Sequence, residues 1–449
     1  MNSIDTGHAS RLYVSFAALL LHACATPVEE ISVDVEPLGS HLSDSESTLG
    51  SPSTAEREKM IAYLNTRTPP SAIQAEVVVD DVPYDCVEIH RQWGGIADDP
   101  DDVPRAPGVL PPGLKGPRGG EWAGIRISRA SKPEFPECPP DTVPMRRFGL
   151  QDLSKYTTLD GWLNRRGGPP QSIQPGASHE WASRGRKVNN IGLQASLNVW
   201  NPAIQTGLNE FSLMQLWVVS CTFKVDNQTC ILGIDSFESV EAGWLVYPNH
   251  PVAGFGDGGP ELFAYATQNG YTNSCWANEC SQFVVTGNNH IGIGLNSSVF
   301  QGTQREIDLW WYRDPTGAHH WWLNYEGAWI GYFKNDDSYF DEPGLQNQAR
   351  VFDVGGEIVN NGQGAHTSTQ MGSGRCPSSF SPATAALTRA AYIRNIRYVT
   401  SGNTWASPEP FNRQAEFAPY DLGPLNPHGT GAGGGVHFYL GGEGDNPCP

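Results

Sequence analysis

The sequence is short of several things, and each shortage closes off a class of protein. Lys and Arg together number 29 against 48 Asp and Glu, a net charge of -19 over 449 residues. A chain so acidic is repelled by nucleic acid and by anionic membrane surfaces, and neither is expected as a partner. No segment carries 18 uninterrupted apolar residues, so no transmembrane helix is expected. There is no His-Glu-x-x-His and no zinc-knuckle spacing, and no metal or other cofactor is expected. There is no Gly-x-Ser-x-Gly elbow, which argues against a serine hydrolase. Ser373, in Met371-Gly-Ser-Gly374, reads as a structural turn residue.

Charged residues make up 17% of the chain, whereas Gly numbers 50, Pro 35 and Trp 14. That balance fits a loop-rich, all-β, extracellular type of protein. The N-terminus fits export as well. Arg11 precedes an apolar run, Leu12 to Leu21, too short to span a bilayer. Leu21-His-Ala-Cys24 resembles a lipoprotein signal with Cys24 as its lipidation candidate, and cleavage after Ala23 or Ala25 is the rival reading. Residues 25–55 are polar and acidic, without periodicity, and read as a disordered tether.

Setting Cys24 aside leaves eight cysteines, an even number that in an exported chain reads as disulfides. The short intervals Cys221–Cys230 and Cys275–Cys280 invite local bridges. Cys86 with Cys138, and Cys376 with Cys448, are the simplest pairs for the remainder.

Segments 75–80 and 85–90 read as strands, 56–64 and 151–163 as helices, and 98–120 as a long exposed loop. Together they make a small α+β domain over 56–164. A linker follows over 165–185, with Arg165-Arg166 as an exposed processing site. From 186 to 449 strand follows strand, and Trp310-Trp311-Tyr312 to His320-Trp321-Trp322 across Asp314-Pro-Thr-Gly317 reads as a hairpin. The expected architecture is an antiparallel β-sandwich, jelly-roll-like.

Two of these strands carry a candidate chemistry. In Glu241-Ala-Gly-Trp-Leu-Val-Tyr-Pro248 a carboxylate alternates with a glycine that leaves space beside it. In Val351-Phe-Asp-Val-Gly-Gly-Glu-Ile-Val359, Glu357 follows Gly355-Gly356. Two carboxyls sharing a site titrate apart, so one can take a proton from water while the other donates one to a carbonyl oxygen. The same pair serves glycoside hydrolysis, so it does not choose its substrate. Trp244 and His366, near the two glutamates in sequence, are candidate substrate-binding residues, and the tryptophans could line a groove for a sugar or a proline ring.

The chain resembles the neprosin family of glutamic peptidases. The resemblance rests on Asp85-Cys-Val-Glu-Ile-His90 and Cys138-Pro-Pro-Asp-Thr-Val-Pro-Met-Arg-Arg147 in the front part. Behind them come Phe211-Ser-Leu-Met-Gln-Leu-Trp-Val-Val219, Val240 to Pro248, Gly270-Tyr-Thr-Asn-Ser-Cys275, Gly355 to Asn360, His366 to Gly374, and Gly441-Gly-Glu-Gly-Asp-Asn-Pro-Cys448. It implies a β-sandwich with Glu241 and Glu357 as catalytic pair, acid cleavage of peptides on the carboxyl side of proline, and a zymogen that is inhibited by its own N-terminal pro-domain and loses it on activation. A monomeric enzyme is expected. Cys376 stands where relatives usually lack a cysteine, and Pro419 where many have one; a relocated partner for Cys448 explains both. The rival functions are a non-catalytic sandwich that binds peptide or glycan through an aromatic groove, and a two-carboxylate glycosidase.

Overall fold

The computed structural model describes residues 51–79, 82–113, 120–131, 136–163, 178–205, 207–224, 230, 237–248, 258–271, 273–336, 339–362, 364–381, 383–426 and 435–449. The leader, Cys24, most of the tether and Arg165-Arg166 lie outside the described residues.

The chain enters through α1 (Thr54–Arg67), whose N-cap Ser53 accepts a hydrogen bond from the Glu56 amide. β1 (Ile73–Val79) and β2 (Val82–Glu88) follow, then a hairpin of β3 (Gly120–Trp122) and β4 (Ile125–Arg129), then β5 (Thr142–Arg146). β1, β2 and β5 form a small three-stranded sheet. The helix expected over 151–163 is two short ones, α2 (Leu150–Leu153) and α3 (Leu159–Leu163). Thr157-Thr158 between them, with Thr158 bonding the Gly161 amide, restarts the helix rather than continuing it.

The large sheet begins with β6, a 21-residue strand over Ser178–Asn198. This corrects the expected linker: 178–185 are already strand, and the catalytic-type sheet starts there rather than at 186. After it come β7 (Ser212–Cys221), β8 (Phe237–Val246), β9 (Glu261–Gln268), β10 (Asn273–Trp276), β11 (Phe283–Val285), β12 (Gln304–Arg313), β13 (Trp321–Tyr325) and β14 (Ala328–Phe333). The chain finishes with β15 (Ala349–Asn360), β16 (Ala391–Thr400), β17 (Trp405–Ala406), β18 (Arg413–Glu416), β19 (Asp421–Leu422) and β20 (Phe438–Gly441).

β6 is long because it belongs to two layers. Its first half lies between β15 and β18, in the order β10-β9-β8-β7-β15-β6-β18. Its second half lies between β12 and β16, in a layer that continues through β13 and β14 on one side and β17 and β20 on the other. The expected sandwich is thus found as one curled, mainly antiparallel sheet folded over itself. Between the layers, Met214, Leu216, Val218, Val240, Ala242 and Trp244 share a core with Leu193, Ala195, Leu197, Ile307, Leu309 and Trp311. The Trp310–Trp322 hairpin is present as β12 and β13, with Arg313 opposite Trp321.

The N-terminal part is not set apart as the sequence suggested. β4 lies parallel to β12, with Gln304 opposite Ile127, so the β3–β4 hairpin extends the second layer. Four disulfides join Cys86–Cys138, Cys221–Cys230, Cys275–Cys280 and Cys376–Cys448, the expected pairs.

Close strand approach in the first layer depends on glycine. A Cβ on Gly355 would sit 2.4 Å from the Ala182 carbonyl oxygen, and one on Gly243 2.0 Å from that of Met214. Both obstacles are backbone of the neighbouring strand and cannot swing aside. Gly355→Ala is therefore expected to lower the unfolding free energy by about 1–3 kcal/mol, the usual cost of forcing atoms into a packed site. Urea unfolding measures it, and an unchanged midpoint would show that the strands can separate without penalty.

Candidate active site

Neighbouring residues in adjacent strands form rows across the sheet, and alternate residues along a strand face opposite ways. On the face of the first layer turned away from the core, one row reads Tyr265, Glu241, Trp217, Asp353, Gly185 and Arg413. The next reads Phe263, Gly243, Gln215, Gly355, Ser183 and Ala415. The third reads Glu261, Leu245, Leu213, Glu357 and Trp181. The middle row has small residues at most positions and glycine on both sides of Gln215. It forms a low track across the sheet, with Glu241 on one bank and Glu357 on the other, diagonally opposed across Gln215.

Glu241 is buried, and three donors meet its carboxyl group. Ser239 Oγ is 2.6 Å from Oε1, the Tyr271 hydroxyl 2.9 Å from Oε1, and Gln215 Nε2 3.1 Å from Oε2. Burial pushes its pKa up to about 7; the Ser239 hydrogen bond opposes this, and the charge of Glu357 adds to it. Tyr271 is held well above its ordinary value, first by burial and then by Glu241, so its hydroxyl keeps its proton as a donor. Glu357 has a different partner: Nδ1 of His179 lies 2.5 Å from its Oε1. His179 in turn stacks on Trp181 at 5.7 Å between ring centroids.

Aromatic rings stand at both banks. Beside Glu241, Tyr265 meets Trp276 edge-on at 5.0 Å, and Tyr271 lies 5.3 Å from Phe237. Beside Glu357 are Trp181, Phe211 and Phe417. Asp353 pairs with Arg413 at 3.3 Å, and Gly185 leaves the room that the Asp353 carboxylate fills.

Two expected site residues are elsewhere. Trp244 is fully buried in the core between the layers, donating to the Asn198 carbonyl at 3.0 Å. It neighbours Gly243 in a strand, so it faces away from Glu241. His366 Nδ1 lies 3.0 Å from Glu180 Oε2, and Glu180, opposite Ile358 and next to Trp181, is on the reverse face from Glu357. The loop carrying His366 is anchored on that face by Glu210, which accepts from Asn361 N and from the Thr367 and Thr369 hydroxyls. Neither residue touches the glutamates. Sequence reading missed Gln215, Ser239, Tyr271 and His179. For Gln215 a signal existed, a lone amide in the apolar run Phe211 to Val219.

A row of small residues between two carboxyl groups leaves room on this sheet face for an extended chain beside a pair of acids. Residues 208–443, more than half of the chain, match the Neprosin family model, and the chain belongs to the neprosin family. As a member it is a peptidase of the glutamic type. Two solved structures also match: scytalido-glutamic peptidase with a transition state analog inhibitor, at 11% identity and TM-score 0.27, and SCP-B of the Eqolisin family with the tripeptide Ala-Ile-His, at 12% and 0.28. Each match covers 59% of this chain and 98% of the other. Superposition at that level is too loose to carry residue roles across.

The raised pKa of Glu241 has a consequence for stability. Its folded value is near 7 against an ordinary 4.5, so between these pH values the folded state holds a proton that the unfolded state has lost. Stability from this group is full below 4.5 and falls as pH rises to about 7. Glu238 and Glu326 are also pushed up, to about 7 and about 8 by burial, so the wild type alone does not isolate the effect. The difference between wild type and Glu241→Gln does. It is expected to move against the wild type by about 2–3 kcal/mol between pH 4.5 and 7. Urea unfolding of both proteins at the two pH values checks it; a constant difference would mean that Glu241 ionises normally.

Proposed function

We propose that this is an exported endopeptidase, active in acid, that hydrolyses peptide bonds on the carboxyl side of proline with Glu241 and Glu357 as its working pair. The observation that carries the reading is the glycine-flanked Gln215 with a glutamate diagonal to it on either side. A substrate backbone lying along that track has one carboxyl group at each side of its scissile carbonyl, and Gln215 beneath it.

Environment divides the labour between the two acids. Glu241, buried and close to neutral pH in its titration, is the acid; Glu357, paired with His179, is the base. Water gives a proton to Glu357 as its oxygen attacks the carbonyl carbon. The oxyanion that forms accepts hydrogen bonds from protonated Glu241 and from the Gln215 amide. The carbon–nitrogen bond then breaks, the leaving nitrogen takes the Glu241 proton, and exchange with Glu357 and solvent restores the starting state. His179 acts through Glu357 and is a positioning residue.

Proline fits the aromatic bank formed by Tyr265, Tyr271 and Trp276, where its ring finds apolar faces without asking for a hydrogen bond. Four disulfides and the apolar leader support export, with Cys24 as the residue through which a lipid could anchor the chain. Processing of a precursor belongs between 164 and 177, upstream of β6, and the uncut chain is the inhibited form.

A matched set of digests tests the reading. Wild type, Glu241→Gln and Glu357→Gln, each with the precursor cut, are given a peptide with one internal proline at several values between about pH 2 and 6, where carboxyl pairs titrate. The wild type is expected to cut after proline, and each variant to lose on the order of 10²–10⁴ in kcat, the usual weight of acid–base catalysis. Equal cleavage by all three would remove the pair from the mechanism. Binding of peptide or glycan without turnover would return the chain to the role of a binding module.

A further inference from the structure

The N-terminal part of the chain, residues 54–163, is bonded into the second layer of the sheet rather than set beside it. We propose that it is a permanent component of the enzyme: once the chain is cut between 164 and 177, the two pieces stay together as a non-covalent two-chain protein. This rests on the precursor cut of the proposed function but not on its catalytic chemistry.

The contacts are of the kind found inside a domain. β4 is hydrogen-bonded to β12, and its extension continues the ladder: Ala130 N donates to the Glu306 carbonyl, and Asn296 N to that of Ala130, both at 2.8 Å. Trp122, from the same hairpin, is buried against Tyr392 at 4.8 Å and His437 at 4.7 Å, with the Arg394 guanidinium 5.5 Å from its ring. Gln92, fully buried, donates to the Val285 carbonyl and accepts from the Val285 amide, both at 2.9 Å. One side chain thereby completes the edge of β11. Trp93 Nε1 reaches the Phe283 carbonyl at 3.0 Å, and Arg67 the Asn278 carbonyl at 2.6 Å.

Apolar packing says the same. Val87, Ile89, Val103, Ala130, Val143 and Met145 belong to the hydrophobic core that also holds Trp244 and Leu309. Loss of the N-terminal piece would open this core and leave backbone groups of β11 and β12 without partners, the exposure that edge strands normally avoid. Arg67 and Arg146 are buried too, and both feel the charge of Glu279 across the boundary. No disulfide crosses it among the described residues: Cys86–Cys138 is internal to one piece, and the other three bridges to the other piece.

These bonds fall on the second layer and its β11 edge, not on the row of Gly243, Gln215 and Gly355. A cut that frees the start of β6 can therefore act on the site without the N-terminal body leaving.

The test is made on the full exported chain carrying a sequence-specific protease site inserted between 164 and 177. After complete cutting, gel filtration under native conditions is expected to give one peak containing both fragments in equal amounts, which separate on a denaturing gel without reductant. Urea is expected to unfold both fragments in a single transition. The proposal is overturned if the C-terminal fragment elutes alone, or if the N-terminal fragment dissociates at low urea while the C-terminal fragment keeps its near-ultraviolet dichroism. Elution is independent of turnover, so a catalytically dead enzyme would still answer the question.

Discussion

β8 lies close on β7 at Gly243, β15 lies close on β6 at Gly355, and the candidate site depends on these two approaches. A side chain at either glycine would run into the backbone of the next strand. The constraint is therefore packing before it is chemistry. Its consequence is chemical: a sheet face otherwise crowded with Trp217, Leu213, Trp181 and Phe263 has one low row, with an amide in the middle and a carboxyl group diagonal to it on each side. Glycine supplies the space, and the two-residue period of the strands supplies the placement.

The cost of setting Glu241 in that face is offset locally. A buried carboxylate is unfavourable unless donors surround it. Here Ser239, Tyr271 and Gln215 bring three, and the group still titrates near neutrality because burial and Glu357 outweigh them. Burial also raises Glu238, on the reverse face of the same strand, which accepts the Asp341 and Leu345 amides and so holds the 341–345 loop under β8. The strand thus carries acids on both faces with different tasks, one fastening a loop and one facing the low row.

What could be read from the sequence followed the range of each signal. Alternation within a strand is local, and it marked Glu241 and Glu357 beside their glycines. Cysteine spacing marked the short bridges. The same alternation also bore on Trp244: it sits one residue from Gly243, so it must face away from Glu241, and proximity in sequence misled. His366 failed for a similar reason, since nearness to Glu357 along the chain says nothing of which face a loop returns to. Gln215, Tyr271 and His179 reach the glutamates through strand pairing and loop return across 26 to 178 residues of separation, whereas Ser239, two residues before Glu241 on the same strand face, lay within reach of local alternation. Register between strands so far apart is set by turns and core packing that no local pattern records.

The extent of β6 was the largest misreading, and it explains the most about the architecture. Its first eight residues were assigned to a linker because Ser178-His-Glu-Trp-Ala-Ser-Arg-Gly185 is polar and lies next to a run of Pro and Gly. Yet they pair with β15 throughout and with β18 over 182–185, and Glu180, Trp181, Ala182, Ser183 and Gly185 are buried. They put His179 against Glu357 and Trp181 beside it, while over 192–198 the same strand pairs with β12, the strand that β4 joins. One strand therefore connects the candidate base, the fold between layers and the seam with the N-terminal part. His179, the second residue of β6, is the one that meets Glu357, so the proposed processing would fall immediately upstream of the candidate base. The seam of β4 with β12 lies beside its far end, where Asn198 pairs with Glu306. The proposed cut and the proposed retention of the N-terminal body are compatible because the length of β6 lies between them.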